Sequence, residues 1–369
     1  MNRHWLLICG IIVCLAIGLG CGSSGKKPDK PVTTGPGAAM PTPEPVGPAA
    51  ARDQMQQALR AAQANDWARA ESLYDKAIKA DPQIAEAYYN RGLVRMKLGK
   101  NDEASEDLRR ALGLRSNYRQ AQVNLGASYL ATGKLSAAVS QFEAVVAREP
   151  NNLEAQNNLG AVYMRMGKYD QAETVFKKIL RIDYKFLPAH VNLGLLYFYQ
   201  GKPQLAERVF KNAEKLSPKN ADLIANYGYM LFKLGEISLA KVQFERALKS
   251  DPNNVTALTN LGALEILLRQ FDKALMRLER AVEIDPSNAV AWMNLGIARR
   301  VKGSNDAAET AYKRAIAIDP GLAEAYLAYG IFLEEVRQDK KQANIQYARY
   351  WQYAKNSPDA NKRVEDWLR

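Results

Sequence analysis

AVAWMNLGIARRVKGSNDAAETAYKRAIAIDP, residues 289–320, reads as two short helices joined by a glycine turn. Apolar residues recur at offsets of 3, 4 and 7 within each half, the period of one helix face and not of a strand. Gly296 and Ala308 are small where two helices must approach, and Tyr312 is large where the space beside them must be filled. Gly303 suits the left-handed residue that ends the first helix. Pro320 stands where the second helix must stop.

The same pattern extends in both directions. Glycine stands at Gly92, Gly126, Gly160, Gly194, Gly228, Gly262, Gly296 and Gly330, each 34 residues after the last. Taking each glycine as position eight, alanine holds position twenty at Ala104, Ala138, Ala172, Ala206, Ala240, Ala274 and Ala308. Position twenty-four carries Leu108, Phe142, Phe176, Phe210, Phe244, Leu278 and Tyr312. Position fifteen is glycine except at Asn65 and Arg269, and Arg269 is expected to be strained or differently capped. Ser116 and Tyr184 replace the proline of position thirty-two, so those two turns are expected to be less firmly specified. A strict period of this length marks a helix–turn–helix solenoid.

These motifs resemble the tetratricopeptide repeat family over roughly residues 51–356. The resemblance implies an all-α, right-handed superhelical solenoid of about nine helix–turn–helix repeats with a C-terminal capping helix. The units run 51–84, 85–118, 119–152, 153–186, 187–220, 221–254, 255–288, 289–322 and 323–356, with the cap at 357–369. The first unit has Ala58 in place of glycine, and the last slips by one residue after Asp339, placing Ala343 and Tyr347 in the pattern. Irregular end units are expected where one face meets water.

Residues 1–20 have the lengths of a secretory signal, with Arg3 and His4 before an apolar stretch too short to span a bilayer. Gly18-Leu19-Gly20-Cys21 resembles a bacterial lipobox, which implies acyl chains on Cys21. Residues 21–50 are rich in Gly, Pro, Ser and Thr without apolar periodicity and read as a disordered tether. Gly22 is not the aspartate that holds enteric lipoproteins in the inner membrane, so the expected site is the outer membrane, facing the periplasm. All three cysteines lie at or before Cys21, so the repeats hold no disulfide.

Position six carries an asparagine ladder: Asn90, Asn124, Asn158, Asn192, Asn226, Asn260 and Asn294. In this family that helix lines the concave side, and the ladder resembles the one in the repeat region of O-linked N-acetylglucosamine transferase. An amide both donates and accepts, so it can pair with a guest backbone of any sequence. Helices packed about 8–10 Å apart would meet about every third residue of an extended guest. The same amides can instead brace adjacent repeats. Beside them, positions nine, twelve and thirteen supply an apolar stripe of Leu195, Phe198, Tyr199, Tyr229, Phe232, Ile266, Leu267 and Ile297. Lys97, Arg165, Lys233 and Arg300 border it and suit acidic residues on a guest.

No chemistry is apparent. Of the two histidines, His4 is in the leader and His190 falls at position four, between helices, where it reads as structural. No His/Cys cluster has metal-ligand spacing, and no cofactor is expected. The net charge of +12 comes without a block of five basic residues, and nucleic acid is not an expected partner behind an export signal. The expectation is a non-enzymatic scaffold that binds extended or helical segments of protein partners and is anchored to a membrane by lipid. It looks like the pilotin lipoproteins of type IV pili and the lipoproteins of gliding-motility complexes, which implies help in assembling an envelope machine. The alternative is a general periplasmic chaperone or adaptor.

Overall fold

The computed structural model describes residues 48–354; the lipobox, the tether up to residue 47 and the segment 357–369 lie outside them, and the last two residues assigned to the tether, Ala49 and Ala50, already belong to the first helix. The described residues form eighteen helices and no strand, an all-α repeat fold. They group into two compact units, 48–209 and 210–354.

Each repeat is a pair of helices. In the first unit these are α1 Ala49–Gln63 with α2 Trp67–Ala80, α3 Ala85–Lys97 with α4 Asn101–Leu114, and α5 Arg119–Ala131 with α6 Leu135–Arg148. Next come α7 Leu153–Arg165 with α8 Tyr169–Ile182, and α9 Leu187–Tyr199. The helix α10, Pro203–Leu216, carries the boundary between the units. The second unit continues with α11 Ala221–Lys233 and α12 Ile237–Ser250, α13 Val255–Leu267 and α14 Phe271–Ile284, and α15 Ala289–Val301 and α16 Asn305–Ile318. It closes with α17 Ala323–Glu335 and α18 Lys340–Ala354.

The spacing of small and large residues explains why the pairs close. Ala104, Ala138, Ala172, Ala240, Ala274 and Ala308 are completely buried, as are Leu108, Phe142, Phe176, Phe244, Leu278 and Tyr312. Gly92, Gly126, Gly160, Gly228, Gly262 and Gly296 each lie under the large residue of position twenty-four of their own repeat. A methyl group on Gly160 would stand 2.5 Å from the Phe176 ring, and one on Gly296 2.6 Å from Tyr312. No side chain fits there without displacing the ring.

The turns follow the reading with two corrections. The position-fifteen glycines have φ between 72° and 84°, and Asn65 and Arg269 take the same left-handed conformation at φ 60°. Arg269 is therefore the strained position that the pattern marks, since a side chain is disfavoured there. The turns that lack proline are as well formed as the others. Phe186 N–H donates to the Asp183 carbonyl at 3.2 Å, just as Asn254 N–H donates to Asp251 at 3.1 Å after Pro252. Backbone bonds close this turn, and proline only stiffens it. The extra residue of the last unit lies before Asp339: Gln338, at φ 57°, takes the left-handed place one residue late. Tyr347 still lands over Gly330, where an added methyl would stand 2.5 Å away.

Asparagine also fixes helix starts. Asn152, Asn220, Asn254 and Asn288 cap α7, α11, α13 and α15, each accepting from a backbone N–H three residues on at 2.8–3.0 Å. No helix of the described residues is long and apolar enough to cross a membrane.

Candidate protein-binding face

The position-six asparagines stand in register on successive first helices but do not face outward. Asn90, Asn124, Asn158, Asn192, Asn226 and Asn294 are at most 8 % exposed, and Asn260 is half-buried. Asn124 Nδ2 donates to the Tyr89 hydroxyl at 3.1 Å, and Asn192 Nδ2 to Asn157 Oδ1 at 3.0 Å. Both bonds cross from one repeat to position five of the repeat before. Burial pushes the Tyr89 hydroxyl up to about 12, with the Asn124 bond working against that shift. Asn226 and Asn260 turn back on their own helices, to the carbonyls of Asp222 and Thr256. This corrects the expectation of pairing with a guest backbone. Asn124 and Asn192 thus brace adjacent repeats, and the burial of six of the seven amides keeps them from the surface. Each such bond contributes about 0.5–1.5 kcal/mol.

The apolar stripe is divided in the same way. Leu195, Phe232, Ile266 and Ile297 are 2–4 % exposed and belong to the core, and Arg300 is 8 % exposed. They are not available as a docking surface; Phe232, for one, packs edge-on against Phe244 of the second helix of its own repeat, with centroids 6.2 Å apart. Arg300 pairs across the seam with Glu335, N to O 3.4 Å. Burial pushes that carboxyl up, while Arg300 opposes the shift. Position thirteen is the row that stays accessible: Lys97, Arg165, Tyr199, Lys233 and Leu267 are all half-buried. Phe198 and Tyr229 join them.

Within the first unit, the Phe198 and Tyr199 rings meet edge-on with centroids 5.3 Å apart. Within the second, the Lys233 ammonium sits 5.3 Å from the centre of the Tyr229 ring. Each unit thus offers aromatic surface beside cations on its first helices. Such amphipathic anchors are the residue types that dominate protein interfaces.

A second ladder escaped the sequence reading. The Trp292 indole donates to the Pro286 carbonyl at 3.0 Å and the Tyr326 hydroxyl to the Pro320 carbonyl at 3.1 Å. His190 Nε2 lies 2.7 Å from the Tyr184 carbonyl, in the same relation to its own preceding turn. All three are position-four side chains tying a helix to the turn before it. His190 therefore carries its proton on Nε2 and is spent on structure. The signal was present as a row of hydrogen-bond donors at one position, hidden because Gln156, His190, Trp292 and Tyr326 differ in everything else.

Among the described residues no group of three or more His, Cys, Asp or Glu side chains could hold a metal ion. A surface recess between α16, α17 and α18 is lined by Glu309, Lys313, Tyr329 and Arg337. Those groups bond one another, with Glu309 receiving Lys313 at 2.7 Å, Arg337 at 2.9 Å and Tyr329 at 3.1 Å.

Two family models match the sequence, and both describe a tetratricopeptide repeat. One covers residues 129–193 and 197–265, the other residues 55–119 and 268–323. The chain belongs to the tetratricopeptide repeat family. No curated protein matches it. Among solved structures it is similar to a tetratricopeptide repeat protein from Parabacteroides merdae, at 19 % identity and TM-score 0.51, over 68 % of this chain and 98 % of that one. Yeast Tom70 is similar at 14 % identity and TM-score 0.54, over 96 % and 72 %. A monomeric mutant of IFIT1 with Gppp-AAAA is similar at 16 % identity and TM-score 0.55, over 85 % and 80 %. At these identities the likeness is one of fold. As a tetratricopeptide repeat array the chain is a protein–protein interaction scaffold.

Proposed function

We propose that the chain is a lipid-anchored, non-enzymatic scaffold of the bacterial outer membrane. It faces the periplasm and holds a segment of a protein partner so as to assist assembly of an envelope machine, of the kind served by type IV pilus or motility lipoproteins. The observation that supports the binding surface is the presence of accessible position-thirteen residues in each unit, Tyr199 beside Phe198 in the first and Lys233 beside Tyr229 in the second. A partner segment carrying acidic residues and an apolar anchor suits that row better than a backbone read through amides. The anchor rests on the lipobox-like run ending in Cys21 and the Gly/Pro-rich segment after it.

Cross-linking from membranes tests the reading directly, comparing the wild-type protein with Tyr199→Glu and Lys233→Glu variants. Loss of one envelope component with either variant supports a dedicated assembly factor. Loss of many unrelated envelope proteins together makes it a general periplasmic chaperone. An unchanged set removes the position-thirteen row from the function. Cys21→Ser should release the protein from membranes, and retention there would overturn the lipid anchor.

A further inference from the structure

The second helix α8 and the turn after it carry four cations and a tyrosine in place of the usual proline, Lys177-Lys178-Ile179-Leu180-Arg181-Ile182-Asp183-Tyr184-Lys185. Lys177, Lys178, Arg181 and Lys185 are all exposed. Lys177 is held by Glu173 at 2.6 Å, whereas Lys178, Arg181 and Lys185 have no ion pair among the described residues. The one acid among them is already engaged, since Asp183 Oδ1 accepts from the Lys185 backbone N–H at 2.8 Å. Two large apolar side chains project between these cations: Ile182 is 48 % exposed and Tyr184 55 % exposed.

Position thirty is also apolar at Leu114, Leu216, Ile284 and Ile318, and Ile182 is the most exposed of the five, whereas the tyrosine is not required by the fold. Tyr184 stands where six sister repeats have proline, and its turn closes through backbone bonds that any residue can supply. Its ring is nevertheless held in place, edge-on to the buried His190 ring with centroids 5.1 Å apart. The helix dipole accounts for a basic residue in the last turn of α8, such as Arg181. It does not account for an exposed isoleucine one residue on and an exposed, positioned tyrosine two residues after that. Lys178, Arg181 and Ile182 share one helix face by their spacing of three and four.

We infer that the C-terminal end of α8 and the turn at 183–185 form a contact site for an anionic lipid surface. Unpaired cations around an exposed isoleucine and a fixed tyrosine match such a surface on both counts. Lys and Arg are drawn to anionic headgroups, and a tyrosine settles at headgroup depth with its hydroxyl in water. A protein partner asks for more, because a stable interface buries about 800 Å² on each side and this site is a single helix end and turn. None of its residues belongs to the position-thirteen row, and it does not depend on what that row binds. It would set which side of the repeat stack rests on the bilayer.

The test uses the full-length chain with Cys9, Cys14 and Cys21 changed to serine and Ile182→Cys carrying an environment-sensitive fluorophore. Vesicles of phosphatidylcholine containing phosphatidylglycerol should shift its emission to the blue, and vesicles of phosphatidylcholine alone should not. In this background Lys178→Glu, Arg181→Glu and Lys185→Glu should each weaken the response by about five-fold or more, since each cation near the surface is worth about a factor of five. The variants should keep the helical circular dichroism of the parent, because the three side chains are exposed. No shift on either vesicle overturns the site. So does an equal shift on both vesicles that the charge reversals leave unchanged, which would report adsorption through the apolar leader. A shift with polyglutamate or an oligonucleotide but not with vesicles would give the patch to an acidic macromolecule and overturn the lipid assignment.

Discussion

Position seven of the repeat is Arg91 near one end of the described array and Tyr329 near the other, and the two seams around them are built from opposite chemistry. Arg91 forks onto the buried Asp107, with Nε to Oδ2 at 2.9 Å, and reaches Asp75 at 2.6 Å. Arg95 joins Asp107 at 2.9 Å and Glu71 at 3.0 Å, and Lys100 completes the set on Glu71 at 2.6 Å. Tyr329 instead stacks against Tyr312 and Phe332 with centroids 6.0 Å and 6.3 Å apart, and only its hydroxyl reaches a charge, on Glu309. The helix pairs at the two places nevertheless have the same form. What they share is the small residue at eight under a large one on the second helix, Leu108 over Gly92 and Tyr347 over Gly330. The backbone of the repeat is therefore set by steric fit, and position seven is free to carry either kind of seam.

The largest break in this comparison is expected at Asp107. Asp107→Ala removes the carboxylate shared by two part-buried guanidinium groups, leaving Arg91 with Asp75 and Arg95 with Glu71, and should cost about 1.5–3 kcal/mol. Amide hydrogen exchange of α3 and α4 is the suitable readout, because a repeat array unfolds locally and one melting midpoint does not describe it. Replacing Arg91, Arg95 and Asp107 together with leucine should be close to neutral. A triple variant as damaged as the single one would mean that the ionic seam specifies the local geometry.

A sharper contrast lies in the glycines. Gly330→Ala drives a methyl to 2.5 Å from Tyr347 and should lose about 1–3 kcal/mol. Gly92→Ala meets Leu108 at 3.1 Å, and the helix-propensity gain of about 1 kcal/mol should nearly offset that contact. Equal losses in denaturant titrations at the two sites would show that the ring on the second helix is not what demands glycine. Arg269→Gly, at a left-handed turn, should stabilise the second unit by about 1 kcal/mol in the same titrations.

The smallest effect separates the seams by pH. Burial pushes the Glu71 carboxyl up, but the bonds from Lys100 and Arg95 outweigh it and leave the group below its usual range. A carboxyl depressed by folding contributes stability above its unfolded pKa and loses it as the pH falls through the folded value. Acidification below the ordinary glutamate range should therefore raise exchange in α2–α4, and Glu71→Gln should abolish that sensitivity. An unchanged acid response in the variant would assign the effect to other carboxylates.

The sequence made the helix pairs, their left-handed turns and their core legible because each rests on short-range steric demands repeated at fixed spacing. Gly160 under Phe176 and Gly303 in its turn need no knowledge of distant residues. The candidate site was less legible. Asn124, Phe232 and Ile297 occupy positions assigned to an open inner face, yet all three are buried. The row at position thirteen was in the reading but could not be told from positions nine and twelve, because all three carry the same residue types.

By itself, then, the chain determined the period, the fold class, the turn conformations and the structural role of His190, since these depend on local geometry and on a spacing that repeats. Only the tertiary structure decided which polar side chains turn into the seams and which stay at the surface. Asn124 and Asn192 became braces between repeats, Arg91 and Asp107 a part-buried lock, and Ile182 and Tyr184 an exposed pair. That choice is set by how closely successive repeats pack, which depends on the fit between helices and not on the pattern of any one of them.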